Sequence, residues 1–301
     1  MRVNWTVGSH HPKLLREFLR KQGVSRKLLA KLKFEGEIWL NGDPVRVTVP
    51  INEGDQVIIE IPPELRNEQV ILSDKPLDIL YEDEALLVVN KPCGVASVPS
   101  PEHRDDTMVN RVAAYISNKA YPHQAVHVVT RLDRETSGVM LFAKNGFIHA
   151  LMDQQLRKRT LDKLYVAVVE GQVTPDYGIL TFPIGRSQES IIERIVDDSD
   201  AGKPAKTEYW VREVRKHLSV VDVKLWTGRT HQIRVHFAHI GHPLVGDDLY
   251  GGHLRLLQRQ ALHCRQLTLA HPLTGQSLHI VADLPNDLQA LIHENNKKIL
   301  D

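Results

Sequence analysis

The chain carries a polar loop, VTRLDRETSG at residues 129–138, that leads directly into the apolar run VMLFA at residues 139–143. A short apolar run next to turn residues is typical of a buried β-strand. Asp133 therefore lies on a loop just before a strand, between Arg131 and Arg134. Neighbouring cations stabilise a carboxylate, which suits a nucleophile or a base. Taken alone, the pattern also fits a surface turn with ion pairs, and the residues by themselves favour that simpler interpretation.

Apolar runs elsewhere predict a chain rich in strands. Further strands are predicted at residues 85–89, 164–169 and 220–226. We predict one helix from about Phe147 to Arg159. A second has Ile233, Phe237 and Ile240 on one face and ends at Gly241. The mixed order of elements and the hairpin signals favour an α+β fold over a doubly wound parallel sheet.

The N-terminal stretch predicts a small unit of its own. One helix begins near Pro12 and stops at Gly23, and Ser25 can cap a second helix. Asn41-Gly42 is a strong hairpin signal. Strands are predicted at residues 38–40, 45–49 and 57–61. We place the boundary after residue 75, so that residues 1–75 form one domain with its linker and residues 76–301 form the second.

The overall charge argues for no particular partner, whereas the local charge does. The 301 residues carry 38 Lys+Arg and 37 Asp+Glu, a net charge of +1. Residues 13–33 contain eight basic residues and the single acid Glu17. The longest apolar run, Leu164–Val169, is far too short to span a membrane. With two cysteines and no signal-peptide core at the first residues, we expect a cytoplasmic protein with reduced thiols and no membrane partner.

Several enzyme classes lose their usual signatures. The sequence has no phosphate-binding P-loop, no GxGxxG, no GxSxG and no CxxC. Four clustered histidines suggest a metal, because three-residue spacing can place imidazoles on one helix face: His231, His236, His239 and His242. They alternate with aliphatic residues, and neither a cysteine nor a carboxylate is spaced to complete the set. We therefore predict no metal site and no cofactor.

The loop at residues 131–138, RLDRETSG, resembles the RLDxxTSG motif of the RluA-type pseudouridine synthases, which isomerise uridines in structured RNA. Further segments resemble motifs of that family in the same order: NKPCG at 90–94, KLY at 163–165, GKPAKT at 202–207, TGRTHQIRVH at 227–236 and GHPLVGD at 241–247. The resemblance covers roughly residues 76–284. It implies a catalytic domain built on a mixed, mainly antiparallel sheet.

The resemblance also implies roles for individual residues. Asp133 corresponds to the catalytic aspartate, Tyr165 to the tyrosine beneath the uracil, and Arg234 to the basic residue paired with the aspartate. Asp133 could attack the ribose C1′, add to the uracil C6, or remove a proton at C2′. Arg131 corresponds to the arginine that fills the space left by a flipped-out nucleotide. Substrate contacts are expected from Arg131, Leu132, Thr136, Arg229, His231 and Gln232. The chain departs from the family at Thr130, where a histidine is usual, and His127 lies too far away to replace it.

The N-terminal unit is similar to an S4 RNA-binding domain, although Lys13-Leu14-Leu15 replaces the usual Arg-Leu-Asp opening. RNA contacts are expected from Lys13, Arg16, Arg26, Lys27 and Lys31. The expected partner is RNA, with ribosomal RNA favoured and transfer RNA as the alternative, and we expect a monomer. Two other functions stay open. One is a catalytically silent RNA-binding or ribosome-assembly protein on the same fold, and the other is a histidine-metal hydrolase.

Overall fold

The structure is a computed structural model that describes residues 1–35 and 37–294. The N-terminal unit contains two helices and a four-stranded sheet of order β1-β4-β2-β3. Its elements are β1 (Arg2–Thr6), α1 (Leu15–Lys21), α2 (Arg26–Glu35), β2 (Glu37–Leu40), β3 (Asp43–Pro44) and β4 (Gln56–Glu60). The prediction of two helices with a small hairpin sheet is confirmed, and β1 is a strand that sequence patterns did not reveal.

Local signals in this unit were partly right. The Ser25 hydroxyl accepts from the Leu28 amide at 3.1 Å, as a capping residue should. Helix α1 begins at Leu15 rather than near Pro12. The strand predicted at residues 45–49 is wrong, because the carbonyls of Val47 and Val49 accept the first amides of α1 at 2.9 and 3.0 Å. Backbone groups that cap a helix in this way are not available to a sheet.

The N-terminal unit packs directly on the rest of the chain. Trp5 meets Phe147 edge to face, with ring centroids 6.3 Å apart. A Cβ at Gly23 would lie 2.4 Å from Leu151 Cδ2. The turn between α1 and α2 therefore packs against the helix at residues 146–158, which also carries Phe147. Glu64, on the segment that joins the two parts, accepts from the Gly146 amide at 3.1 Å. These contacts make one apolar core continuous across both parts.

The remainder is built around one ten-stranded sheet. Its helices are α3 (Met108–Asn118), α4 (Gly146–Lys158), α5 (Gln232–His239) and α6 (Asn286–Glu294). Its strands are β5 (Ile79–Glu82), β6 (Leu86–Lys91), β7 (His127–Val128), β8 (Ser137–Ala143), β9 (Asp162–Glu170), β10 (Tyr177–Leu180), β13 (Thr207–Val214), β14 (Leu218–Leu225), β15 (Leu262–Ala270) and β16 (Ser277–Val281); a separate hairpin contains β11 (Ile184–Arg186) and β12 (Arg194–Val196).

The sheet is mixed and mainly antiparallel, as predicted. The strand order is β10-β13-β14-β9-β15-β8-β6-β5, with β16 paired to β15 and β7 paired to β8. Only the β15–β8 pair is parallel among the described strands. Helix α3 was not predicted, and eight of its eleven residues are buried, the polar Asn110 and Arg111 among them. Within the described parts of the chain, none of the helices combines the length and apolar character that crossing a membrane requires.

The parallel pair positions the loop at residues 131–136, hereafter the Asp133 loop. Gly138 lies beside Cys264 in the register and adopts φ +113°. A Cβ on Gly138 would stand 2.2 Å from the Cys264 carbonyl oxygen, closer than side chains can come to backbone. Because only glycine fits, β8 runs tightly against β15, and the loop before β8 reaches the strands that carry the other site residues.

We expect Gly138→Ala to lower the free energy of unfolding by about 3 kcal/mol or more, since an unfavourable φ and a backbone clash add. Gly241→Ala is the matched control, because Gly241 has φ +81° with no atom within 4 Å of its Cβ position. The control should lose only about 1–2 kcal/mol. Chemical denaturation of both variants measures the difference, and equal losses would contradict the close approach of the two strands.

Candidate active site

One cavity of about 880 Å³ collects the residues that the sequence singled out in the second domain. The Asp133 loop forms one wall, and β9 contributes Lys163 and Tyr165. The turn at residues 228–231 and the start of α5 form the opposite wall. All nine predicted residues of this domain line the cavity: Arg131, Leu132, Asp133, Thr136, Tyr165, Arg229, His231, Gln232 and Arg234.

Buried polar groups hold the backbone of the Asp133 loop. Ser97 Oγ accepts from the Leu132 amide at 3.0 Å and donates to the Leu132 carbonyl at 2.5 Å. Lys91 is fully buried and donates to the Arg134 carbonyl at 2.8 Å, as well as to two carbonyls of residues 92–95. Burial lowers the pKa of Lys91 to about 8. The Thr136 amide closes the loop on the Asp133 carbonyl at 3.1 Å.

Arg234 connects two carboxylates. Its Nε and Nη2 atoms donate to Asp247 at 2.7 Å each, a bidentate pair, while Nη1 lies 3.8 Å from Asp133 Oδ2. The side chain of Asp247 is fully buried, whereas that of Asp133 is 30% exposed. Burial opposes the charge of Arg234, but the two carboxylates outweigh it and hold the pKa of Arg234 above its usual value. The expected partnership of Arg234 with Asp133 is thus looser than its pairing with Asp247.

Tyr250 completes the support for this pair. The guanidinium carbon of Arg234 lies 4.8 Å from the Tyr250 ring centroid, within cation–π range. The Tyr250 hydroxyl is 2.8 Å from His231 Nδ1. Burial lowers the pKa of His231 more than the Asp133 carboxylate raises it, so the imidazole is neutral at pH 7. His231 therefore contributes a neutral ring to the wall opposite Asp133.

Tyr165 lies on β9 with only 4% of its surface exposed. It is directly opposite Cys264 across the β9–β15 pair, and Cys264 is fully buried. Burial raises the pKa of Tyr165 well above its usual value. The phenol is therefore protonated, and Tyr165 lines the cavity from β9.

Among the residues that line the cavity, Arg131 and Arg229 are exposed, whereas Thr130 is buried. Arg131 forms no hydrogen bond or ion pair with any residue that the structure describes. Arg229 donates through Nε to the Pro204 carbonyl at 3.1 Å. Thr130, which stands in place of a histidine, is buried, and its hydroxyl accepts from the Leu141 amide at 2.9 Å. His127 is 2.6 Å from Glu64 and does not line the cavity.

Gln232 and Thr136 form their hydrogen bonds inside the protein. The Gln232 side-chain oxygen accepts from the Arg229 amide at 2.9 Å and from the Thr227 hydroxyl at 2.8 Å. Its side-chain nitrogen donates to the Lys206 carbonyl and the Thr207 hydroxyl. The Thr136 hydroxyl accepts from Gln260 at 3.1 Å. Gln232 therefore holds the turn at residues 227–231, and Thr136 holds the Asp133 loop.

The clustered histidines point to different partners. His236 is 2.9 Å from the Phe182 carbonyl, and His242 is 2.8 Å from the Glu170 carbonyl. His239 packs on the Phe182 ring at a centroid distance of 4.4 Å. In residues 1–35 and 37–294, no group of three or more His, Cys, Asp or Glu side chains is arranged to hold a metal ion.

The five cations predicted in the N-terminal unit lie outside the cavity. Lys13, Arg16, Arg26 and Lys27 are exposed. Lys31 is half-buried, and its Nζ donates to the Pro63 carbonyl at 3.3 Å. They therefore form a surface separate from the walls of the cavity.

Sequence patterns gave no role to Asp247 or Tyr250. Asp247 is the only carboxylate in the segment GHPLVGD at residues 241–247, and a lone acid beside a glycine turn could have marked it. Tyr250 had no comparable signal, because its partners are more than fifteen residues away in the chain. Lys91 lies within the segment NKPCG at residues 90–94, but the resemblance of that segment assigns it no role.

The chain is similar in sequence to several known proteins. A model of the RNA pseudouridylate synthase family matches residues 85–239. The chain is 41% identical over 283 residues to the uncharacterized RNA pseudouridine synthase YjbO of Bacillus subtilis, a match that covers 94% of this chain and 99% of YjbO. It is 36% identical over 282 residues to ribosomal large subunit pseudouridine synthase D of Pseudomonas aeruginosa, covering 89% of this chain and 87% of that protein.

Two solved human structures share the fold. Human RNA pseudouridylate synthase domain containing 4 matches with a TM-score of 0.61 and 24% identity, over 73% of this chain and 93% of that one. Human RNA pseudouridylate synthase domain containing 1 matches with a TM-score of 0.60 and 27% identity, over 73% and 89%. The α+β architecture predicted from the sequence is therefore that of these proteins.

The pH dependence of stability tests the packing behind the cavity. His263 is 1% exposed, 2.9 Å from Ser137 Oγ and 3.2 Å from the Ala282 carbonyl. Burial lowers its pKa from 6.5 to about 4. Between these values the unfolded chain binds a proton that the folded chain excludes, so stability falls as the pH drops. The loss at pH 4 should reach about 3 kcal/mol.

Replacing His263 by Gln should remove this dependence. Relative to the variant, the wild-type free energy of unfolding should decline by about 3 kcal/mol between pH 7 and pH 4. His279→Gln, which removes an exposed histidine from β16, controls for the substitution itself. Parallel pH curves for wild type and His263→Gln would show that the imidazole is not buried in its neutral form.

Proposed function

The chain belongs to the RNA pseudouridylate synthase family, and from this premise we propose that Asp133 is the catalytic aspartate. The protein is an RNA pseudouridine synthase, an isomerase that converts uridine to pseudouridine. The proposal depends on one observation, the convergence of Asp133, Tyr165 and Arg234 on a single cavity. Of the two carboxylates around Arg234, only that of Asp133 is exposed enough to meet a substrate.

The reaction needs a positioned carboxylate and little water. It breaks the N1–C1′ bond of the nucleotide, turns the uracil and joins C5 to C1′, while C5 loses a proton and N1 gains one. Asp133 starts this sequence by attack at C1′, by addition to C6 or by removal of a proton at C2′. In each route the carboxylate must be aimed at the reacting atom, and the guanidinium of Arg234, 3.8 Å away, helps to orient it.

Tyr165 is proposed to support the uracil during its rotation. Its buried phenol stays protonated, so it meets the base as a flat ring and a hydrogen-bond donor. For Tyr165 to take the proton from C5, the hydroxyl must first pass its own proton to another group. We therefore assign it stacking and proton relay rather than the role of a free base.

Arg131 is proposed to stabilise the flipped nucleotide. The reacting atoms C1′ and C5 are inaccessible in a stacked helix, so the target must leave it. Arg131 is exposed at the cavity edge and has no partner in the described chain that would hold it back. Its planar guanidinium can stack on the neighbouring bases and donate hydrogen bonds at the same time.

Ribosomal RNA is the proposed substrate, with transfer RNA as the alternative. Relatives such as the protein from Pseudomonas aeruginosa are named ribosomal large subunit pseudouridine synthase D. Arg229 and His231 on the turn at residues 228–231 are proposed to contact the RNA beside the target uridine. Leu132, Thr136 and Gln232 line the same cavity and would shape it.

Residues 1–75 are proposed to form an S4-like RNA-binding domain, and residues 76–301 the catalytic domain. Two observations support an RNA-facing role for the first. Its cations Lys13, Arg16, Arg26 and Lys27 are exposed, and Gly23 abuts Leu151 of α4. Helix α4 continues to Leu156, which lines the cavity, so one helix reaches from the turn between the basic helices to the wall of the cavity.

Loss of Asp133 tests the catalytic assignment. Wild-type protein incubated with unmodified ribosomal RNA from cells that lack this gene should produce pseudouridine, measured by nucleoside chromatography. Asp133→Asn should lower the rate by at least about 10³-fold and leave RNA affinity within about threefold, because shape and hydrogen bonding are retained. Asp153→Asn, on the exposed side of α4, is the matched control.

The outcomes separate the enzyme from the catalytically silent RNA-binding protein, and ribosomal RNA from transfer RNA as the substrate. Wild-type binding without product on ribosomal or transfer RNA would favour the catalytically silent RNA-binding protein. Product from transfer RNA alone would replace the proposed substrate. Full activity in Asp133→Asn would refute the catalytic role of this aspartate.

The charges of the N-terminal unit provide a second test. Replacing Arg26, Lys27 and Lys31 by Gln should weaken RNA binding and flatten the plot of log K against log salt by about two to three units of slope. A triple Gln variant of Arg2, Arg212 and Lys224 is the control, since carboxylates within 2.9 Å already pair these cations. Equal slopes for the test variant and wild type would exclude phosphate contacts by this surface.

A further inference from the structure

A second buried arginine contacts the Asp133 loop from behind. Arg259 is 6% exposed, and its Nη1 donates to the Glu135 carbonyl at 3.2 Å. The same nitrogen also donates to the Gln260 carbonyl at 3.1 Å and the Leu262 carbonyl at 3.4 Å. Glu135 directly follows the residue whose carbonyl Lys91 holds, so two buried cations hold consecutive carbonyls of the loop.

The other edge of the Arg259 guanidinium is held by α6. Nε and Nη2 donate to the two carboxylate oxygens of Asp287 at 2.7 and 3.0 Å. Asp287 is the second residue of α6, and its carboxylate also accepts from the Leu288 amide at 2.8 Å. A bidentate pair fixes the plane of a guanidinium as well as its position. The direction of Nη1 toward the Glu135 carbonyl is therefore set by Asp287.

Helix α6 is itself anchored behind the strand that carries Tyr165. Leu288 and Leu291 of α6 are buried in one cluster with Val166 and Val168 of β9. Successive residues of a strand face opposite sides of the sheet, so Tyr165 faces the cavity from the other side of β9. The same helix thus contacts the strand of Tyr165 through apolar packing and the loop of Asp133 through Arg259.

We infer that Arg259 and Asp287 form a clamp through which α6 sets the distance and orientation of the Asp133 loop relative to Tyr165. Arg259 is a positioning residue, since it touches the catalytic loop and not the substrate cavity. Both residues lie outside residues 85–239, the part that matches the family model. The inference rests on the proposed function in taking Asp133 as the catalytic group.

The chemistry of the clamp requires arginine. A lysine would keep the positive charge, but a single ammonium cannot pair with both oxygens of Asp287 and also reach the Glu135 carbonyl in a fixed plane. Arg259→Lys therefore removes the bidentate pair with Asp287 and keeps the positive charge. Asp287→Asn removes the charge that orients Arg259, and its side chain is 41% exposed, so the surroundings tolerate the change.

The test measures rate and loop order in the full chain. With unmodified ribosomal RNA, Arg259→Lys and Asp287→Asn should each lower kcat about tenfold or more and leave KM within about threefold, because a displaced aspartate affects the reaction and not the binding of RNA. Amide hydrogen exchange should speed up about tenfold or more at Thr136, whose N–H closes the loop on Asp133.

Arg265→Lys is the matched control, because Arg265 lies on β15, the strand that follows Arg259 in the chain, and has its own carboxylate. Arg265 pairs with Asp283 at 2.9 Å and donates to the Ala282 carbonyl, away from the Asp133 loop. It should leave kcat and the exchange at Thr136 within about twofold of wild type. A role of Arg259 in stability alone would lower the melting temperature without changing kcat per folded molecule.

Wild-type kcat and wild-type exchange at Thr136 in folded Arg259→Lys and Asp287→Asn would overturn the clamp, as would equal effects in Arg265→Lys. If Arg259→Lys does not fold, Asp287→Asn decides alone. If wild-type protein makes no pseudouridine, the proposed function fails instead. Exchange at Thr136 then still decides whether the clamp orders the loop.

Discussion

The charge of Arg234 has to be balanced inside the protein, because only 6% of the surface of this residue reaches solvent. Asp247 accepts from Nε and Nη2, along one edge of the guanidinium, at 2.7 Å each, and its own side chain is completely buried. An arginine held in this way cannot swing toward another acceptor, so its remaining nitrogen is presented to Asp133 at a constant place. The site is thus organised from the buried pair outward, and Asp133, the more exposed of the two carboxylates, has the looser contact.

The same rule governs the backbone around Asp133. The loop approaches the core, where an unpaired carbonyl is costly, and buried side chains satisfy its polar groups. Ser97, Lys91 and Arg259 hold it at three carbonyls, those of Leu132, Arg134 and Glu135. Satisfying these groups also removes the freedom of the loop. The contacts that satisfy the buried backbone groups of the loop are therefore the same contacts that hold it in one conformation.

The net charge of +1 is a sum over charged residues that pair inside the protein and charged residues that face solvent. Many acids serve the interior: Glu82 accepts from Lys144, Tyr115 and Tyr121, and Asp83 accepts from the Ala85 and Leu86 amides. The cations at residues 13–33 mostly face outward. A sum over the chain counts both alike, although only exposed and unpaired charges act on a distant partner.

The amino-acid sequence by itself determined four of the ten strands of the large sheet (β6, β8, β9 and β14), helices α4 and α5, the α+β class and, through the resemblance of several segments to family motifs, nine of the residues that line the cavity. Apolar runs and turn residues report local burial, so these features could be predicted. The pairing of Arg234 with Asp247, the turn at residues 45–49 and the contact of Arg259 with Glu135 were decided only by the tertiary structure. Glu135 and Arg259 are 124 residues apart, and they meet because β8 lies parallel to β15, where Gly138 permits close contact. Which buried donor meets which carbonyl depends on such long-range packing, and no periodicity in one segment records it.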